Sequence, residues 1–280
     1  ARGAGGNRWS LFKADRHHRQ VARQHLSADI PAGIEQGQFQ PVYQPILALG
    51  SGATVGAEAL VRWRHPQRGV LRPAEFLDLV AGTGYMVPLT LHLLSRACRD
   101  AATWAPVSSG PTGAGPAAYL SFNITPEHLT QPEIIADIAA TLDRTGLDPS
   151  RLQIEVTETA RISIDPGSIA ILRTLAARGV RLVLDDFGTG HANYLALADL
   201  PVHGIKIDAS FTRRLTNGDP RAAAVAAGVI QLALGLGLKV TAEGVEQERQ
   251  LTALRRLGCH YGQGYHIARP MDASEFAARR

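Results

Sequence analysis

Short apolar runs that end in polar or charged residues recur along this chain. The clearest is VRLVLDDFGTG (180–190), where Val180, Leu182, Val183 and Leu184 lead into Asp185 and Asp186 and a Gly-Thr-Gly turn follows. Such runs alternate with stretches of helical periodicity. FQPVYQPILAL (39–49) and TVGAEALVRW (54–63) read as strands separated by the turn signal Gly50-Ser51-Gly52. Helices are expected at about 26–37, 73–81 and 88–104, followed by the loop APVSSGPTGAGP (105–116). From there the alternation is regular. Strands are expected at YLSFNIT (119–125), RLQIEVTE (151–158), VRLVLDDF (180–187), VHGIKID (202–208), LKVTAEG (238–244) and CHYGQGY (259–265). Helices are expected between them at about 132–145, 167–178, 191–199, 220–235 and 246–257, with a helical tail.

Regular strand–helix alternation means parallel strands joined by crossover helices. Two architectures satisfy it, an open doubly wound sheet and a closed (β/α)8 barrel. An open sheet usually carries a glycine-rich phosphate loop after its first strand, and none is found here. The number of units and the 280-residue length favour the barrel.

The strand ends carry the chemistry. Glu58, Asn123, Glu155 and Glu158, Asp185 and Asp186, Lys206 and Asp208, Glu243 and Glu246, and Gln263 all stand at or just after a strand terminus. In a barrel these ends meet in one ring. Crowded carboxylates there raise one another's pKa unless a cation neutralises them. The donors are oxygens plus one amide, which suits Mg²⁺ or Mn²⁺. Adjacent aspartates suit two metals and an in-line displacement at phosphorus. Lys206 would orient a nucleophilic water or neutralise developing charge. Each residue alone has a plainer reading: Glu58 or Glu155 as a surface carboxylate, the Asp pair as an Asx turn or helix cap, Asn123 as a cap for TPEHL, Glu246 as a helix-dipole partner, Lys206 as a snorkelling surface residue. His65, Trp63 and Trp104 read as packing residues, and His17 and His18 as solvated linker.

Composition adds little beyond class. Net charge is +4 with no block of like charge, too weak to argue for nucleic acid. Positive charge is almost all Arg; the lysines are Lys13, Lys206 and Lys239, which makes Lys206 between two isoleucines informative. Cys98 and Cys259 lie far apart, outside any metal-ligand spacing, as expected of a reduced cytoplasmic chain. The most apolar stretch, 222–240, contains Gln231 and Lys239 and reads as a core helix followed by a strand.

Together, AEALVRWRHP, SFNIT, LQIEVTE, LVLDDFGTG, GIKID, TAEGVE and LGCHYGQGYHIARP resemble the ordered motifs of the EAL-domain family of cyclic di-GMP phosphodiesterases. The resemblance runs from about Gln38 to Pro270. It implies a modified (β/α)8 TIM-type barrel with one antiparallel strand, homodimerisation, and metal-dependent hydrolysis of one phosphodiester of cyclic di-GMP to linear pGpG. It implies that Glu58, Asn123, Glu155 and Asp185 hold one metal, and that Asp185 and Asp186 help hold a second with Glu243 as ligand or general base. Lys206 would touch the attacking water. Gln44, Arg62 and Gln263 would face or flank the substrate, Glu158 would anchor the loop after Asp186, and Asp208 and Glu246 would support the site. The alternatives are a non-catalytic cyclic di-GMP receptor, and a barrel enzyme acting on another phosphoester or an enolisable acid.

Two departures stand out. His191-Ala192-Asn193 replaces the family's usual Tyr-Ser-Ser, in a loop that couples metal binding to the dimer interface, and Gly82 replaces a common Glu. The N-terminal RGAGGNRWSLF resembles the end of a GGDEF (diguanylate cyclase) domain. Residues 1–25 are therefore expected to be a linker or the end of such a domain, and 26–280 the EAL domain. The full protein is then expected to carry an upstream GGDEF or sensor domain, and a membrane anchor is compatible with it.

Overall fold

The computed structural model describes residues 21, 23–104, 117–157, 166–188, 197 and 199–279. Its elements are α1 (Ile30–Glu35), β1 (Phe39–Ala48), β2 (Thr54–His65), β3 (Gly69–Leu71), α2 (Pro73–Ala81), α3 (Met86–Ala102), β4 (Tyr119–Ile124), α4 (Pro126–Leu129), α5 (Glu133–Thr145), β5 (Leu152–Thr157), α6 (Pro166–Ala177), β6 (Arg181–Phe187), β7 (Gly204–Ile207), α7 (Ala209–Arg214), α8 (Pro220–Gly235), β8 (Lys239–Ala242), α9 (Glu248–Arg256), β9 (Tyr261–Gly262) and α10 (Ala273–Ala278). The chain divides into two compact units, residues 1–40 with 61–93, and residues 41–60 with 94–280.

The sheet runs β1-β9-β8-β7-β6-β5-β4-β2-β3, and β1 also pairs with β2. That closing pair makes an eight-stranded barrel and excludes the open sheet; β3 is an addition outside it. From β2 through β4 to β9 each neighbouring pair is parallel, whereas β1 meets β9 antiparallel, with Leu47 opposite Gly262. The expected single antiparallel strand is thus β1.

Alternation along the strands sorts their side chains. Leu184, Ile205, Ile207 and Val240 join one apolar cluster with Ala226, Val229, Ile230 and Ala233 of α8 and Leu251 and Leu254 of α9. Burial of this layer supplies the main driving force for wrapping helices round the barrel. The opposite side of the strands carries Ser121, Gln153, Glu155, Asp185 and Lys206, all buried. Asp219 caps α8 by accepting the N–H groups of Arg221 and Ala222, with Pro220 in the first turn. The apolar stretch 222–240 resolves into α8 and β8, and no helix among the described residues is long and apolar enough to cross a membrane.

In the first unit, Trp63 stacks on Phe39 at 4.5 Å between ring centroids and meets Phe76 edge-on at 5.7 Å. Its indole N–H donates to Gln38 Oε1 at 2.9 Å. His65 is buried and its Nε2 lies 3.1 Å from Asp29 Oδ2. In the second unit, Trp104 packs against Tyr43 and Phe276. The packing role expected for these three residues holds. Gly82 is exposed just after α2. Cys98 and Cys259 are buried free thiols.

Several expectations need correction. Glu58, expected at a strand end, stands inside β2, and it is parallel pairing with β4 that orients it with the later strands. The strand expected over 259–265 is only Tyr261–Gly262, because the chain turns after Gln263, with Ile267 N–H bonding back to Gly264 O. The helix expected from 246 begins at Glu248, because Gln250 Oε1 accepts the N–H groups of Glu246 and Gln247 and holds them out of the helix. Glu246 is therefore no helix-dipole partner inside the first turn. The short elements β3, α4 and α7 were not expected from the pattern. Most of the helix expected at 191–199 lies outside the described residues, as do His17, His18 and the segment resembling a GGDEF terminus.

The barrel wall tolerates no side chain at Gly56. A Cβ there would come 2.7 Å from the carbonyl oxygen of Tyr119 and 2.9 Å from its ring, on the neighbouring strand β4. Gly56→Ala is expected to lower the unfolding free energy by about 1–3 kcal/mol, measured by urea denaturation. An unchanged midpoint would contradict this packing.

Candidate active site

β6 ends in an irregularity that the two aspartates need. On a regular strand, neighbours point to opposite faces, so Asp185 and Asp186 could not serve one site. Between Leu184 and Phe187 the register with β7 shifts. Within that bulge Asp186 takes φ +55°, the left-handed region uncommon outside glycine. Asp185 Oδ1 also accepts the Asp186 N–H at 2.9 Å, a bond to the very next residue and not the two-residue span of an Asx turn. As a result one carboxylate oxygen from each of Asp185, Asp186 and Glu243 lies within 4.8 Å of the others. Glu243 follows β8, and Gly244 beside it is fixed as glycine: its φ is +63° and a Cβ would fall 2.3 Å from that of Ala209.

Lys206 of β7 stands at the centre and is only 1% exposed. Its Nζ lies 2.6 Å from Glu243 Oε1, 2.8 Å from Glu155 Oε2, 3.2 Å from Glu58 Oε2 and 3.4 Å from Asp185 Oδ1. The snorkelling alternative is excluded. An ammonium has three hydrogens, so these four partners are unequal and Asp185 is held mainly by charge.

The electrostatics follow from burial. Burial alone would lower the Lys206 pKa, but Glu155, Glu58, Glu243 and Asp185 together push it well above the ordinary lysine range. Burial pushes Glu155 well up, and the charge of Glu58 adds to it. Glu58 goes the other way. Burial is outweighed there by Lys206 and by the amides of Gln263 and Asn123, which hold its carboxyl below the usual range. Burial, then the charge of Asp185, raises Asp186. Glu243 is raised to about 7, again chiefly by burial.

Amides orient Glu58. Asn123 Nδ2 donates to its Oε1 at 2.7 Å, and Gln263 Nε2 donates to its Oε2 at 2.8 Å and to Gln44 Oε1 at 3.0 Å. Gln44 in turn donates to the Ala268 carbonyl at 3.0 Å. Gln263 Oε1 is buried without a hydrogen-bond partner among the described residues. The surface-carboxylate readings of Glu58 and Glu155 fail, since both are buried. Asn123 is not the side-chain cap of α4, where Thr125 and His128 form the capping box.

The cluster opens into a cavity of about 400 Å³ lined by Gln44, Glu58, Leu60, Asp185, Glu243, Gly244, Glu246, Gln263, Gly264 and Tyr265. Glu246 is thus at the site but exposed. Asp208 is a helix cap: its carboxylate accepts the Ser210 N–H at 2.8 Å and starts α7. Arg62 lies in the first unit, where its guanidinium donates to the Val61 carbonyl at 2.8 Å. Glu158 and His191-Ala192-Asn193 lie outside the described residues. The strand-end rule missed Ser121, Gln153 and Tyr265. Ser121 and Gln153 each precede a named residue, Asn123 and Glu155, by two positions, and period-two alternation was the available signal.

The donor set fits a hard divalent cation. Carboxylate oxygens of Asp185 and Asp186 at the end of β6 and of Glu243 after β8 converge within 4.8 Å, and Glu58 of β2 and Glu155 of β5 meet Lys206 beside them.

Comparison with known proteins agrees with this geometry. The family model described as EAL domain matches residues 27–270. Cyclic di-GMP phosphodiesterase RocR of Pseudomonas aeruginosa is 35% identical over 257 residues, covering 92% of this chain and 64% of that protein. The bifunctional diguanylate cyclase/cyclic di-GMP phosphodiesterase MucR of the same organism is 34% identical over 279 residues, 99% of this chain and 40% of that protein. The solved c-di-GMP complex of the PaMucR phosphodiesterase superposes with a TM-score of 0.82 at 35% identity, covering 90% of this chain and 99% of that one.

Glu243 gives a pH test. In the metal-free folded protein its carboxyl holds a proton up to about pH 7, whereas the ordinary value is 4.5. The folded chain therefore binds more protons between those values, and this group's contribution to stability falls as pH rises through that window. The stability of wild type relative to Glu243→Gln, from urea midpoints with chelator present, is expected to decline from about pH 4.5 to about pH 7. A difference independent of pH would refute the assignment.

Proposed function

Because this chain belongs to the EAL domain family, we propose that it is a cyclic di-GMP phosphodiesterase that hydrolyses one phosphodiester bond of the cyclic dinucleotide to linear pGpG. The observation that carries this reading is the buried Lys206 ammonium within 3.4 Å of four carboxylates drawn from Glu58 to Glu243 at one barrel mouth. The proposed cofactor is Mg²⁺ or Mn²⁺, two per site. Glu58, Asn123, Glu155 and Asp185 would hold one ion, and Asp185, Asp186 and Glu243 the other. Bound ions of this kind supply an acidified water and neutralise charge on the phosphodiester.

The protein groups do the rest. Lys206 donates toward the attacking oxygen and offsets charge that builds on phosphorus. Glu243, whose Oε1 lies 2.6 Å from Lys206 Nζ, accepts the proton that the attacking water loses. The water oxygen bonds to phosphorus and the P–O3′ bond breaks, so the phosphate stays on the 5′ side and the 3′ oxygen takes a proton from solvent water and leaves as a hydroxyl. Gln44 and Gln263 flank the substrate while fixing Glu58 through their amides, and Arg62 is assigned to a substrate phosphate. Glu246 and Asp208 support the rim, Asp208 by capping α7. A homodimer, and an upstream GGDEF or sensor domain like the cyclase half named in MucR, are the proposed assembly partners.

Incubation with cyclic di-GMP and Mg²⁺ or Mn²⁺, followed by chromatography, is expected to yield pGpG. Tight binding without turnover would make the chain a receptor instead, and absence of binding would overturn both readings. Glu58→Ala is expected to abolish turnover. Lys206→Ala is expected to lower it by on the order of 10²-fold or more, with a thermal melt confirming that the variant is folded. Wild-type rates in either folded variant would refute the assigned roles.

A further inference from the structure

One hydroxyl and one amide below the acidic ring are not accounted for by the reading above. Ser121 of β4 is fully buried, and Gln153 of β5 is 7% exposed. The two are register partners on adjacent parallel strands, as Asn123 and Glu155 are two residues further along. Ser121 and Gln153 therefore form the interior layer next below Asn123 and Glu155. Gln153 Nε2 donates to Ser121 Oγ at 2.7 Å, and Ser121 Oγ donates to Glu155 Oε1 at 2.5 Å.

With Glu155 ionised, as a cation ligand is, the direction of this chain is fixed by its chemistry. A side-chain amide nitrogen only donates, so Ser121 Oγ spends a lone pair on Gln153 and its own proton is left to point at Glu155. The other oxygen of Glu155 takes Lys206 at 2.8 Å. The carboxylate is thereby held by donors on both oxygens, one from the layer below and one from β7. Each oxygen keeps a further lone pair. Ser121 and Gln153 accomplish this without charge, so the ring stays net negative. A lysine or arginine in their place would hold Glu155 equally well but compete with a cation.

We propose that Ser121 and Gln153 are positioning residues that fix the Glu155 carboxylate in the orientation needed to bind a divalent cation. The inference rests on the reading of Glu155 as a metal ligand. Partners of this outer kind are typically worth on the order of 10- to 100-fold in metal affinity.

Calorimetric titration of the metal-free protein with Mn²⁺ tests it, beside thermal melts in chelator. Ser121→Ala is expected to weaken Mn²⁺ binding by on the order of 10-fold or more, with Ser121→Thr, which retains the hydroxyl, restoring most of it. Gln153→Leu is expected to act in the same direction with a smaller loss, and it decides the matter if Ser121→Ala does not fold. Glu155→Gln separates the two levels of the argument. Wild-type affinity in Ser121→Ala and Gln153→Leu while Glu155→Gln binds weakly overturns the positioning role alone. Wild-type affinity in Glu155→Gln overturns the ligand reading on which it rests. A lowered melting temperature with unchanged affinity means a packing role only, and also overturns the proposal.

Discussion

The site depends on one buried ammonium. Glu58, Glu155, Asp185 and Glu243 come from segments nearly two hundred residues apart, and all lie within 3.4 Å of Lys206 Nζ. Without that charge the fold would bring together buried carboxylates whose desolvation and mutual repulsion oppose closure of the barrel. With it, the same crowding becomes attraction across strands β2, β5, β6 and β7. An arginine would not substitute, because its planar fork cannot point at four carboxylates arranged around a single atom. This is a physical reason for a lysine in a chain that places arginine almost everywhere else.

Two backbone features make the ring complete. Closure through the β1–β2 pair puts Glu58 on the same rim as the residues that follow it in sequence. The bulge at the end of β6 then lets consecutive aspartates serve one mouth instead of two faces. The left-handed conformation of Asp186 is a local cost that the barrel imposes and the site uses.

Much of this was legible in the sequence because apolar runs ending in acids are unusual. An acid near the end of a strand stands out against Val, Leu and Ile, so Glu155, Asp185 and Glu243 could be named in advance, and the count of strand–helix units pointed to the barrel; Glu58 was named by the same rule although it stands inside β2. The converging side chains agree with that reading. What could not be read has a common cause, which is dependence on a third dimension. Gln44 and Gln263 look like substrate contacts in sequence, yet both belong to the network that holds Glu58. Ser121 and Gln153 look like ordinary polar positions of a strand until closure turns them inward. Gln250 reaches back to hold Glu246 outside α9, which no periodicity forecasts. Asp208 sits at a strand end for a local reason, capping α7, so the strand-end rule is not specific by itself.

Charge balance says where further positive charge belongs. Glu58, Glu155, Asp185, Asp186 and Glu243 would carry five negative charges if ionised, and Lys206 offers one positive charge against them. The deficit is not shared evenly. Glu58 lies among donors that lower its pKa, and Glu155 is bonded on both oxygens. Asp186 and Glu243, like Glu155, are raised chiefly by burial, and with Asp185 they carry the oxygens that converge within 4.8 Å. Lys206 touches Asp185 and Glu243 as well as Glu58 and Glu155, so its single charge is divided among four carboxylates. A hard cation at the Asp185–Asp186–Glu243 cluster would relieve that deficit while Lys206 stays where it is. The ammonium and the cation are therefore complementary, each making the other's acidic neighbours tolerable.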